Sequence, residues 1–164
     1  MKKSVIVIAC LVSLAFLLAV PSASAQADKL IGAWKATEIT IGGENGAKST
    51  FPPNHPGLLI FTKKYTGFWN ITDVNRPSYP RQGATDAQKV AAWEPFQAIA
   101  GTYEVKGNII TRHIFIAKDP NNMPPGNWQT LEFKIEGDTL TTTLKDTEIG
   151  PFPNPITMKY VRVE

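Results

Sequence analysis

The chain has 164 residues, a formal net charge of +3, one cysteine and two histidines. A charge so near balance gives no electrostatic basis for binding nucleic acid or an anionic membrane surface. A lone cysteine excludes an internal disulfide and a thiolate metal cluster, and the two histidines show no metal-ligand spacing, so neither metal nor cofactor is expected.

In chain order, Lys2 and Lys3 precede an apolar run over residues 5–20, and Pro21 then leads to Ala23-Ser24-Ala25. A charged start, an apolar middle and a small-residue end are the parts of a secretory signal, here cleaved before Gln26. A spanning helix needs about twenty apolar residues, so residues 1–25 read as a removed signal and not as an anchor. Cys10 lies within that apolar run, with the longer part of it following, the reverse of a lipidation site. The short double-lysine start has a bacterial look, and the expected destination is the periplasm or the medium. Residues 26–164 remain as one domain, with no integral membrane segment and a net charge near +1 after Lys2 and Lys3 leave.

From there, short runs rich in Val, Ile, Thr, Phe, Tyr and Trp alternate with Gly, Asn, Asp and Pro, the punctuation of an all-β domain. Eight strands are predicted: Leu30–Ile41, Leu58–Lys63, Tyr65–Val74, Gly101–Val105, Ile109–Lys118, Gln129–Ile135, Thr139–Lys145 and Ile156–Val163. Thr62-Lys63-Lys64, Lys106-Gly107-Asn108 and Glu136-Gly137-Asp138 are short links, two of them carrying the Gly that tight hairpins need. Neighbouring strands should therefore pair antiparallel in sequence order, and eight of them suit a closed up-and-down barrel. Between the third and fourth strands, Thr85 and Gln88 have capping-box spacing, and Ala87, Val90, Ala91 and Trp93 form an apolar stripe before Pro95. One short helix is predicted there, covering one mouth. Met123-Pro124-Pro125-Gly126 and the segment Gly150–Pro155 are predicted loops, since proline cannot donate to a ladder.

Leu30-Ile31-Gly32-Ala33-Trp34 carries the Gly-x-Trp opening of a lipocalin first strand. Together with Gly101-Thr102-Tyr103-Glu104-Val105, the Arg112-His113 strand and Glu136-Gly137-Asp138-Thr139-Leu140, its order and spacing resemble the bacterial lipocalin-like domains, calycin-like β-barrels of uncharacterised function. What this resemblance implies is a first-strand tryptophan plugging the barrel floor under an arginine from the last strand. The matching residues are Trp34 and Arg162, in a structural role. Two departures stand out: the long insertion over residues 76–97, and the absence of the usual lipocalin disulfide.

Candidates for chemistry are few. Alternation puts Ile109, Thr111, His113, Phe115 and Ala117 on one face of the fifth strand and Ile110, Arg112, Ile114 and Ile116 on the other. Both faces are largely apolar, so His113 is either a polar group inside the barrel or a packed histidine, and Arg112 is open in the same way. His55, in a Pro-rich turn, reads as an exposed loop residue. Ser49 and Ser78, the serines that remain after the signal, sit in no nucleophile elbow, and Glu104 and Glu132 alternate toward solvent. Asn70-Ile71-Thr72 matches a glycosylation acceptor by accident. If the barrel keeps a cavity, Trp69, Tyr103, His113 and Tyr160 are the expected lining, each an apolar body with a polar tip.

The leading expectation is an exported binding protein that holds a small apolar or amphipathic molecule in the barrel. Two alternatives stay open: an enzyme of cyclase, isomerase or dehydratase type using His113, with the scarcity of catalytic residues weighing against it, or an envelope interaction protein without a small ligand. An exposed apolar patch on the barrel exterior would be the mark of the last.

Overall fold

A computed structural model of the chain describes residues 23–42, 45–148 and 150–164; most of the expected signal, with Cys10, lies outside them. The elements run helix α1 (Ala23–Leu30), β1 (Gly32–Ile41), β2 (Ala47–Thr50), β3 (Leu58–Phe61), β4 (Tyr65–Ile71), helix α2 (Asp86–Trp93), β5 (Phe96–Lys106), β6 (Ile109–Ala117), a 3-10 turn (Pro120–Asn122), β7 (Trp128–Glu136), β8 (Thr139–Thr147) and β9 (Gly150–Arg162). Every strand pair is antiparallel. From β3 to β9 each strand pairs with its successor, and β1 closes the ring by pairing with both β3 and β9. The closed eight-stranded barrel expected from the turns is present, with β2 as an added flap on the far half of β1, where Glu38 to Ile41 face Thr50 to Ala47.

The turns explain the register. Gly107 and Gly137 both take φ 59° in two-residue links, a conformation that costs glycine nothing and other residues a steric penalty. Such links fix which residues face each other, so Val105 lies opposite Ile110 and Ile135 opposite Leu140. Period-two alternation then sends Trp34, Leu59, Phe61, Ile110, Leu131, Phe133, Leu140, Met158 and Tyr160 into one continuous core.

Two strand starts and the burial of the helix differ most from the sequence reading. β5 starts at Phe96 instead of Gly101, because Phe96 to Ala100 pair with β4 before a bulge at Ala100/Gly101. β9 begins at Gly150, so the predicted loop Gly150–Pro155 is strand. Prolines are tolerated there because β9 meets β1 only from Ile156 onward. The carbonyl of Pro155 still accepts from Gly42, so the prolines before Ile156 take no donor from the β1 ladder. The capping box on Thr85 and Gln88 starts α2 as predicted, but Val90 and Trp93 are 60% and 51% exposed and only Ala92 is buried. The expected apolar stripe therefore does not face a core.

The two ends of the barrel are unlike. One carries the tight turns and is sealed by α1, whose Leu30 is fully buried and whose carbonyl accepts from Trp34 Nε1 at 2.8 Å. The Arg162 guanidinium lies 4.0 Å over the Trp34 ring and donates to the carbonyls of Ile31 and Lys29. α1 spans the expected cleavage point, and these sealing residues all follow it. Trp34→Ala is expected to cost about 3–5 kcal/mol through the cavity it leaves, read as a lower urea midpoint. A loss below about 1 kcal/mol, the scale of an exposed substitution, would show that the ring does not seal the floor.

Candidate functional site

At mid-barrel the core turns polar. Arg112 on β6 follows Ile110 inward and is 8% exposed. Its Nη2 donates to Gln129 Oε1 at 2.7 Å, its direct cross-strand neighbour on β7. Its Nε has no partner, and neither has the Oγ1 of Thr66, which is 4% exposed on β4. Both residues border a crevice shared with Phe68, Ile99, Ala100, Gly101 and Ile114 and too narrow to admit a water molecule. The crevice exists because β5 places Ala100 and Gly101 there. A side chain at 101 is excluded, as its Cβ would lie 2.0 Å from the His113 carbonyl oxygen.

Tyr160 on β9 and Thr142 on β8, each 2% exposed, complete the polar layer. The Tyr160 hydroxyl donates to the Sδ of Met158 at 3.2 Å, a weak acceptor. Burial pushes the phenol up to about 12, with the Arg112 charge and the Thr142 hydroxyl pulling against it. Burial likewise pushes the Arg112 guanidinium down to about 10, with Tyr160 opposing. At neutral pH the guanidinium is thus charged and the phenol protonated: both donate hydrogen bonds, and neither takes up a proton. Among the described residues no carboxylate reaches Arg112 within the 4.0 Å of an ion pair; Glu38, Asp86, Glu132 and Glu136 pair with lysines elsewhere. An unpaired buried charge costs several kcal/mol, so this layer is arranged at the expense of stability.

The far end of the barrel is closed by loops. The chain between β2 and β3 turns inward and is pinned by the Ala36 and Phe51 amides, which donate to the carbonyls of Gly57 and Thr37. His55, expected to be exposed, is only 3% so: its ring stacks on Phe51 with centroids 3.7 Å apart, and its Nε2 lies 2.7 Å from Asn70 Oδ1. Its hydrogen-bond partner Asn70 stands on another strand, which is why the loop composition misled. Asn70 is 1% exposed, which leaves its glycosylation match without an accessible acceptor.

Of the four residues expected to line a cavity, two face inward. Tyr160 belongs to the polar layer, and Tyr103 packs edge-on against Phe61 and donates to the Thr62 carbonyl at 2.7 Å. Trp69 and His113 stand on the outer face and are exposed, Trp69 lying across Gly67. Arg112, left open by the sequence, takes the interior place instead of His113. Thr66, Thr142 and Gln129 were missed altogether. A usable signal exists: Trp34 faces inward, Leu59 and Phe68 lie opposite it in turn, and carrying that parity through the hairpins reaches Thr66 and Arg112.

Two larger hollows lie outside the barrel. One of about 650 Å³ runs over Glu132, Lys134, Thr141, Thr143 and Thr157, and one of about 440 Å³ lies between Arg76, Tyr79, Trp93 and Phe96 beside α2. No three His, Cys, Asp or Glu side chains converge to hold a metal among the described residues, and no described helix is long and apolar enough to cross a membrane.

Residues 31–154 match a family model described as a lipocalin-like domain. Two solved structures are similar: a lipocalin-like protein from Bacteroides uniformis, 13% identical with a TM-score of 0.45, and an uncharacterized protein from Bacteroides eggerthii, 10% identical with a TM-score of 0.43. Each likeness covers 81% of this chain, and 97% and 98% of those chains respectively. No curated protein matches significantly.

The Tyr160 shift has a consequence with a definite sign. Its folded pKa of about 12 lies above the ordinary 10.0, so the stability it contributes is complete below pH 10 and is lost as pH rises through 12. Arg112 acts oppositely, since the cost of its buried charge is present below about pH 10 and is relieved above it. Tyrosinate absorbance should therefore show one phenol of the folded protein ionising near pH 12 and absent from Tyr160→Phe. A titration unchanged by that substitution would place Tyr160 outside the buried layer.

Proposed function

As the chain belongs to the lipocalin-like domain family, we propose that it is an exported binding module that takes a small amphipathic molecule into its barrel. The observation that carries this reading is the polar layer at mid-barrel, where Arg112 Nε and Thr66 Oγ1 are buried without partners and both residues border one crevice. Native interiors satisfy nearly all such atoms, and the exceptions concentrate where a ligand or a strain has a use. The rest of the crevice is apolar, which suits a molecule with one polar end.

The crevice admits no water molecule in this conformation, so binding requires the interior to expand as well as the mouth to open. The segment carrying His55 is the element to move, since the floor opposite is sealed by Trp34, Arg162 and α1. A bound state reached by opening lowers apparent affinity by the fraction of open protein. Export rests on the Lys2-Lys3 start, the apolar run and the Ala23-Ser24-Ala25 end. His113, on the outer face, is not placed to act as an acid or base within the barrel.

One observation favours a second reading. Tyr65, Trp69, Phe115 and Ile116 are exposed together on the outer faces of β4 and β6, with Tyr65 and Phe115 in edge contact at 6.2 Å. A patch of this kind suits a protein partner. Native mass spectrometry of the protein purified from its own host separates the two: a single small molecule released on denaturation is expected. A protein partner alone, with no thermal shift from a series of amphiphiles, would overturn the binding-module reading in favour of the second.

A further inference from the structure

The insertion over residues 76–97 does not bury its aromatic side chains in the core: Trp93 is 51% exposed and Tyr79 36%. We propose that this insertion builds a second ligand site, separate from the barrel interior, which takes an uncharged sugar ring in the hollow of about 440 Å³ between Arg76, Ser78, Tyr79, Trp93 and Phe96. The walls of that hollow are fixed from several sides. Arg76 Nη1 donates to the Ala92 carbonyl at 3.2 Å and Trp93 Nε1 to the Tyr79 hydroxyl at 3.1 Å, which ties the arm before α2 to the helix. Lys118, just past β6, donates to the carbonyls of Trp93 and Glu94 at 2.7 and 3.0 Å, and Thr72, just past β4, donates its amide and hydroxyl to the Pro95 carbonyl. The Trp93 ring stands edge-on to Phe96 with centroids 5.8 Å apart and planes at 75°. Rings at that angle form a corner, and this corner has the volume of a small-molecule site. A site whose walls are tied in place loses little freedom when a ligand arrives.

The chemistry of the lining selects the class of ligand. Arg76 is the charged residue of the lining, and no acid is among its described members, so the corner repels the cation that an aromatic cage otherwise suits. An anion would meet one guanidinium at an exposed position, where an ion pair contributes little. What the hollow offers is aromatic surface with hydrogen-bonding groups beside it. The guanidinium has further N–H donors beyond the one given to Ala92, Ser78 brings a hydroxyl, and the Tyr79 hydroxyl accepts from Trp93 and keeps its own proton to give. A sugar ring has apolar C–H faces and a polar hydroxyl edge, so it can lie against an indole while its hydroxyls meet these groups. Its outer edge stays in water, as an open surface hollow requires.

The experiment titrates cellobiose, maltose, lactose and chitobiose into the full protein, read by calorimetry and by tryptophan fluorescence, with a proline-rich peptide as the rival occupant of an aromatic groove. At least one of these sugars should bind saturably and change the fluorescence. Trp93→Ala should weaken that binding about tenfold or more, the scale of one lost aromatic contact. Arg76→Gln should weaken it several-fold, and it serves on its own if the Trp93 variant does not fold. No response to any of these sugars, a response to the peptide alone, or sugar binding that survives unchanged in Trp93→Ala would overturn the assignment. The barrel reading is tested separately by the amphiphile series, since Trp93 and Arg76 lie outside the barrel interior.

Discussion

Closure of the sheet through β1 is the constraint on which everything else rests. β1 pairs with β3 along Gly32 to Lys35 and with β9 along Trp34 to Ile41, which closes the ring of eight and leaves short β2, paired on one side only, as the edge. Closure also leaves each strand residue two directions, inward or outward. That is why a single inward anchor, Trp34, determines the face of residues as distant as Tyr160, and why the bulge beside Gly101 is enough to change what lies opposite what. Where β3 ends, β2 covers the exposed half of β1, and where β1 ends, β9 uses prolines that need no partner. Both are solutions to the same edge problem.

The ends of the barrel divide the work. Two-residue turns allow the floor to be closed by a compact set of groups: an indole, a guanidinium stacked on it and the end of a short helix. The mouth instead carries the long connections, including the α2 insertion and the loop that buries His55. Loops held by a few side-chain contacts open at low cost compared with strands held by continuous ladders. Any exchange between the interior and the outside is thus directed to one end by the lengths of the connections alone.

How much of this is readable in the sequence depends on whether the deciding contacts are local. The hairpins at Gly107 and Gly137 and the cap at Thr85 are local, and they are legible as such. The place of Trp34 beneath Arg162 is legible through family resemblance, not through the intervening residues. β6 defeats alternation because both its faces are apolar, so His113 and Arg112 cannot be ranked without the neighbouring strands. His55 is misjudged for a similar reason: proline and asparagine around it describe a loop correctly, while its burial depends on Phe51 stacking and on Asn70 from another strand. The prolines at the start of β9 mislead by a sound rule applied without knowledge of where β1 stops.

Arg112 sets a tension that the rest of the barrel has to carry. An apolar residue in its place would fill the core without the desolvation cost, and such replacements of buried ionic groups are often neutral or stabilising. Its guanidinium is nonetheless held with one arm fixed by Gln129 and its Nε buried without a partner beside an equally unpaired threonine. A residue serving packing alone would more economically be apolar, and one serving an internal ion pair would have its carboxylate. Keeping it charged and buried is therefore a cost that the surrounding core offsets. The closed sheet is thus stable enough to hold a charge that no described carboxylate neutralises.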